Sequence, residues 1–128
     1  MLFINATNIG LHVMTYFVQQ HQQSNVTIQT LASRFQVSPT YLAKILARLV
    51  KADLIVSVTG VNGGYRLSQA AETLTFTQVI TALEGQPTFQ DTLDDATSYC
   101  TIADTVLQAE AQMWQALSKK RLIDLNTI

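Results

Sequence analysis

The 128-residue sequence holds one cysteine, two prolines, five glycines and one tryptophan, and charged residues make up only 13% of it. A lone thiol, Cys100, cannot close a disulfide within the chain and cannot by itself build a zinc site. No apolar run approaches the roughly 18 to 20 residues that span a bilayer, so no transmembrane helix and no membrane partner are expected. Residues 1–10 lack the basic start and small-residue cleavage site of a secretion signal, which predicts a cytoplasmic protein. There is also no phosphate-binding glycine loop, no plausible catalytic triad and no cluster of metal ligands, so catalysis and a metal site are set aside. The low charge does not signal disorder, because 48% of the residues are hydrophobic, far above what unfolded chains carry. At this length one core is expected, with one additional element.

The net charge of −1 conceals two unlike halves. Residues 1–66 carry Arg34, Lys44, Arg48, Lys51 and Arg66 against Asp53 alone. Residues 67–128 carry Lys119, Lys120 and Arg121 against eight acids, among them Asp91, Asp94, Asp95 and Asp104. That asymmetry predicts a basic face for a polyanion and an acidic half with another task.

Helical spacing of Gly10, Val13, Met14, Phe17 and Val18 predicts a first helix from about Thr7 to His21. Thr27 is a preferred N-cap, and Ile28, Leu31, Ala32 and Phe35 form one apolar stripe of a short second helix. The sharpest local signal is Ser38-Pro39: serine caps well, and proline at the first helical position lacks only an amide hydrogen that would be unpaired anyway. A third helix therefore starts there. Its stripe of Leu42, Ile45, Leu46 and Leu49 faces inward and leaves Thr40, Tyr41, Lys44, Arg48 and Lys51 outside. The β-branched run Ile55 to Thr59, the loop Gly60-Val61-Asn62-Gly63-Gly64 and Tyr65-Arg66-Leu67 read as a β-hairpin with a projecting tip. A short helix from about Phe76 to Leu83 follows, capped by Thr75 and stopped by Gly85. Residues 86–100 read as an acidic loop. From about Thr101 to Leu117 a long helix presents a wide apolar stripe that needs a partner.

The predicted architecture is mainly α with a small β-hairpin wing: a winged helix-turn-helix over residues 1–84, then an acidic loop and a long helix over residues 85–128. A helix, a short turn and a second helix with an exposed basic and hydroxyl-bearing face fit the major groove of duplex DNA. Ser38, Pro39, Thr40 and Tyr41 stand at the start of that second helix, where base edges are read. Lys44 reaches a guanine or a phosphate, and Arg48 and Lys51 hold the backbone. In the wing, Arg66 supplies a cation, Asn62 a hydrogen-bonding amide, and Gly63 and Gly64 allow close approach to phosphates or entry into the minor groove. The stripe of the last helix that needs a partner includes Ile102, Val106, Leu107, Met113, Trp114 and Leu117. The competing reading is a winged-helix module for protein association that needs no basic face.

The segments from Thr27 to Phe35, from Val37 to Ala52 and from Gly60 to Leu67 closely resemble the Rrf-two family of winged helix-turn-helix transcriptional regulators, and the Asn-Gly-Gly-Tyr-Arg-Leu wing at Asn62 to Leu67 is specific to it. The resemblance implies a homodimer held by the long C-terminal dimerisation helix, with Ile102, Val106, Leu107, Met113, Trp114 and Leu117 at the dimer interface, bound to a palindromic operator, usually as a repressor. It maps DNA contacts onto Ser38, Thr40, Tyr41, Lys44, Asn62, Gly63 and Arg66. Two departures stand out. Many members hold an iron–sulfur cluster on three cysteines before the dimer helix, where residues 86–100 offer Cys100 alone, so no cofactor is expected. His12 and His21 do not replace the missing ligands, because nine residues of helix turn about 900° and leave them on opposite faces. Members also often carry a basic residue near the N-terminus, where this chain has Asn5, Ala6, Thr7 and Asn8. Cys100, just before the long helix, stands where the helix dipole favours a thiolate and a redox switch. Asp94, Asp95 and Asp104 oppose that charge, and a free cysteine also serves simply as a small apolar residue.

Overall fold

The computed structural model describes residues 4–20, 25–85 and 101–125. Its elements run α1 (Asn5–Gln19), α2 (Ile28–Phe35), α3 (Pro39–Lys51), β1 (Ile55–Val58), β2 (Gly64–Leu67), α4 (Phe76–Glu84) and α5 (Thr101–Ser118), with 3₁₀ turns at Ala71–Thr73 and Leu122–Asp124. The mainly helical winged architecture is the one the sequence predicts.

The first helix starts two residues earlier than its apolar spacing indicates, because the Ile4 carbonyl already accepts from the amides of Thr7 at 3.0 Å and Asn8 at 3.3 Å. The expected end at His21 lies outside the described residues. Its inner face buries Thr7, Gly10, Val13, Met14, Phe17 and Val18. Gly10 gives α4 room to pack: a Cβ on it would run into Leu83 Cδ1, which would have to shift within the core.

The helix-turn-helix follows from local chemistry. Thr27 Oγ1 accepts from the Thr30 amide at 3.2 Å and starts α2. Gln36, at φ 56°, takes the left-handed conformation that ends it and turns the chain. Two residues later Ser38 Oγ accepts from the Tyr41 amide at 3.1 Å, with Pro39 in the first turn, and α3 begins. Leu42, Ile45, Leu46 and Leu49 are buried to 2% exposure or less. At about 1.5–3 kcal/mol for each such side chain, this stripe contributes on the order of 6–12 kcal/mol before ordering costs. At the other end of α3, Asp53 is also left-handed, at φ 63°. Its carbonyl accepts from the side chains of Ser68 and Gln69, which hold the strained turn in place.

β1 and β2 pair antiparallel, with Ile55 opposite Leu67 and Val58 opposite Gly64. The wing has a further neighbour that the sequence pattern does not reveal. Val26 lies along β2, its amide donating to the Tyr65 carbonyl at 2.9 Å and its carbonyl accepting from the Tyr65 amide at 2.8 Å.

The expected division at residue 84 is crossed by the chain itself. After α5 the backbone returns to the first half, where the Phe76 amide donates to the Lys120 carbonyl and the Leu122 amide to the Leu74 carbonyl, both at 3.0 Å. Leu122 is fully buried in the same core as Phe17, Leu31 and Leu49. Arg121 donates two hydrogen bonds to Asp124, at 2.8 and 2.9 Å, and these hold the Asp124 carboxyl below the usual carboxylate range. The winged unit thus includes residues 119–125.

Replacing Leu122 by alanine is expected to destabilise the protein by about 2–5 kcal/mol, because the site cannot collapse around a cavity in the shared core. Leu125→Ala, at a position that is 41% exposed, is expected to cost less than about 1 kcal/mol. Equilibrium denaturation in urea separates the two.

Candidate nucleic-acid interface

Because the apolar stripe of α3 is held underneath, its remaining face points to solvent. Ser38, Pro39, Thr40, Tyr41, Lys44, Arg48 and Lys51 are all exposed, and so are Asn62 and Arg66 in the wing. Among the described residues the one ion pair is Arg121 with Asp124, so no described carboxylate neutralises Lys44, Lys51 or Arg66. Arg34, near the end of α2, lies over the Tyr16 ring with its guanidinium carbon 4.7 Å from the centroid, which retains its charge while covering an aromatic surface. Hydroxyls and an aromatic ring at the start of α3, with cations along its length, are what base-edge and phosphate contacts require.

Arg48 is placed differently from Lys44 and Lys51. Its Nη1 donates to the Leu83 carbonyl at 2.8 Å, where α4 ends and the carbonyl has no partner within its own helix. This ties α3 to α4, and a backbone-holding role for Arg48 on DNA has to share the side chain with that bond. The two wing glycines also answer first to the protein's own backbone. A Cβ at Gly63 would lie 2.3 Å from the Val58 carbonyl oxygen, and one at Gly64, with φ +140°, 2.5 Å from the Val26 carbonyl oxygen. Their need for glycine comes from the tight tip and from the Val26 pairing, independently of any phosphate. The tip is further fixed by Asn25, whose Nδ2 donates to the Asn62 carbonyl at 2.7 Å. Neither Asn25 nor Val26 stands out in the sequence, since each acts on a residue nearly forty positions away.

The apolar stripe of α5 divides in two. Leu107, Met113, Trp114 and Leu117 are half-buried within the chain, with α5 lying against α4. Ile102 and Val106 stay 74% and 54% exposed, with Ala109 and Ala116 exposed further along the same side. Leu107, Met113, Trp114 and Leu117, which the family resemblance puts in the dimer contact, are therefore partly covered without a second chain. The open seam runs from Ile102 through Val106 and Ala109 to Ala116, with half-buried Met113 at its edge, in steps of four and three residues, the repeat of a two-stranded helical contact. Cys100 and the acidic loop lie outside the described residues. Among the described residues no three His, Cys, Asp or Glu side chains come together as a metal site.

Comparison with known proteins matches residues 4–127 to the Rrf2 family, described as iron-dependent transcriptional regulators. The chain is 28% identical over 97 residues to the HTH-type transcriptional regulator NsrR of Oceanobacillus iheyensis, a match that covers 76% of this chain and 66% of that protein. The first such relatives are thus spanned over slightly less than two thirds of their length. Among solved structures, the global cysteine regulator CymR of B. subtilis superposes with a TM-score of 0.76 at 23% identity, covering 97% of this chain and 95% of that one. IscR of T. potens superposes with a TM-score of 0.80 at 23% identity, covering 97% and 85%. At these identities the structural matches establish the winged-helix fold.

Gly64→Ala tests the internal reason for the wing glycine. It is expected to destabilise the protein by about 1–3 kcal/mol, because the backbone conformation and the Val26 carbonyl both exclude a methyl group. Thermal unfolding in the absence of DNA reads this directly; unchanged stability would leave the glycine without a structural reason.

Proposed function

Because the chain belongs to the Rrf2 family of transcriptional regulators, we propose that it is a DNA-binding regulator that acts in the cytoplasm, without enzymatic activity, as a homodimeric repressor on a palindromic operator. The observation that carries this reading is the outer face of α3, where Thr40, Tyr41 and Lys44 are exposed beside a wing that adds Arg66. Helix α3 enters the major groove with Ser38, Thr40 and Tyr41 toward base edges, and Lys44 and Lys51 meet base or phosphate. The exposed seam of α5 supports a second copy as its cover: an isologous contact pairs Ile102, Val106 and Ala109 with the same residues of the partner and sets two recognition helices on two half-sites.

The iron implied by the family's description does not fit the donors present. Clusters of this kind are held by several thiolates, whereas the sequence has one cysteine and two histidines, His12 and His21. His12 is already engaged, its Nδ1 lying 2.8 Å from the Asn8 carbonyl. We therefore assign the chain to the cluster-free members, and no step of its action is routed through iron.

The test is the salt dependence of duplex binding. About eight phosphate contacts per dimer give a log-log slope of affinity against salt near −7. The double variant Lys44→Ala/Arg66→Ala removes four cations per dimer, and its slope is expected to fall to about half that value. Fluorescence anisotropy with a duplex selected from random-sequence DNA measures both. A flat response of the unmodified protein, or an equal slope for the variant, would favour a module for protein association instead.

A further inference from the structure

The wing tip carries an apolar side chain that no core contact explains. From Thr59 to Tyr65 the loop has no lysine or arginine, so this tip brings no side-chain cation to phosphate. At its apex Val61 is 102% exposed. Single exposed apolar residues are ordinary on protein surfaces, but two features set this one apart. The tip is rigidly built: the Gly63 amide donates to the Gly60 carbonyl at 3.0 Å, Asn25 holds the Asn62 carbonyl at 2.7 Å, and Val26 pairs with Tyr65 on the far side of β2. The hairpin behind it is also apolar on one side, because Val56 and Val58 alternate onto the face that carries Arg66 and are only half-buried.

We propose that Val61 packs its methyl groups against deoxyribose in the minor groove beside the site of α3, giving the protein a contact with DNA that does not depend on charge. The proposal rests on the DNA-binding reading above and adds a residue and a type of interaction to it. With α3 in the major groove, a hairpin that springs directly from the end of α3 meets the adjoining sugar–phosphate wall and the narrower groove. Sugar edges lining that groove offer C–H surface to a valine, and any base pair presents them, so the contact adds affinity more than sequence choice. The ordering cost is small because Asn25, Gly63 and Val26 have already fixed the tip.

The whole chain is titrated with a labelled duplex selected by the unmodified protein, from about 50 to 200 mM salt. Val61→Thr keeps the shape and exchanges a methyl for a hydroxyl; Val61→Ala removes two methyls. Each is expected to weaken binding about five- to tenfold at every salt concentration, with the slope and the melting temperature unchanged. Lys44→Ala, run alongside, is expected to make the slope shallower. If both Val61 variants bind as tightly as the unmodified protein while Lys44→Ala is weakened, the Val61 contact is refuted and the DNA-binding reading stands. A Val61→Thr loss that disappears as salt rises also refutes it, since the contact would then be electrostatic. If the unmodified protein shows no salt-dependent binding to duplex, both fall together.

Discussion

The burial of Leu42, Ile45, Leu46 and Leu49 under α3 is the constraint from which the rest of the molecule follows. With four side chains committed to the core, the helix cannot rotate about its axis without exposing them, so Thr40, Tyr41 and Lys44 are fixed outward. The same burial sets α3 against α2 through the turn at Gln36 and against α4 through Arg48 and the Leu83 carbonyl. An exposed cationic face on a helix is commonplace. One locked in direction, with a rigid hairpin beside it, is a shape that can be matched to a groove.

The features legible in the sequence are those whose causes are local. Ser38-Pro39 announces α3 because capping and proline geometry act within one turn, and the outcome is the Ser38 cap bond to Tyr41. Thr75 announces α4 in the same way, and in the structure Gln78 completes a reciprocal capping box with it. The heptad-like spacing on α5 shows an amphipathic helix, yet it cannot tell which of two adjacent stripes the chain itself covers; contact with α4 decides for Leu107 and Trp114 and against Ile102 and Val106. What the sequence conceals is made by partners distant along the chain. Arg48 reads as a cation free to hold a DNA backbone until the end of α4, 35 residues away, supplies a carbonyl. Gly64 reads as a permissive turn residue until Val26 is seen to lie against it. Leu122 looks like part of a frayed terminus, and only the pairing of residues 120–122 with 74–76 makes it core.

This returning segment changes how the two halves of the chain relate. Beyond the C-terminal end of α5 the chain is bolted to the winged unit through Leu122, and the helix itself lies against α4. A second copy held on the open seam of α5 would therefore be held rigidly with respect to α3, which is the condition for reading two half-sites at fixed spacing. The charge division fits this arrangement. Cations gather in the half that carries α3 and the wing, and the acidic half, tied to it by packing and by hydrogen bonds such as Arg48 to the Leu83 carbonyl, keeps the net charge of the chain near zero.

The central claim is that the N-terminal part of α3 is the surface that duplex DNA covers, and hydrogen–deuterium exchange with and without saturating operator duplex addresses it most directly. The amides at the start of a helix lack partners in their own helix, apart from those that a cap satisfies, and so report on a covering ligand. The account predicts slowed exchange at residues 39–44 and at the wing, residues 60–66, with little change along α5. Protection confined to residues 101–118, with α3 exchanging as in the free protein, would contradict it.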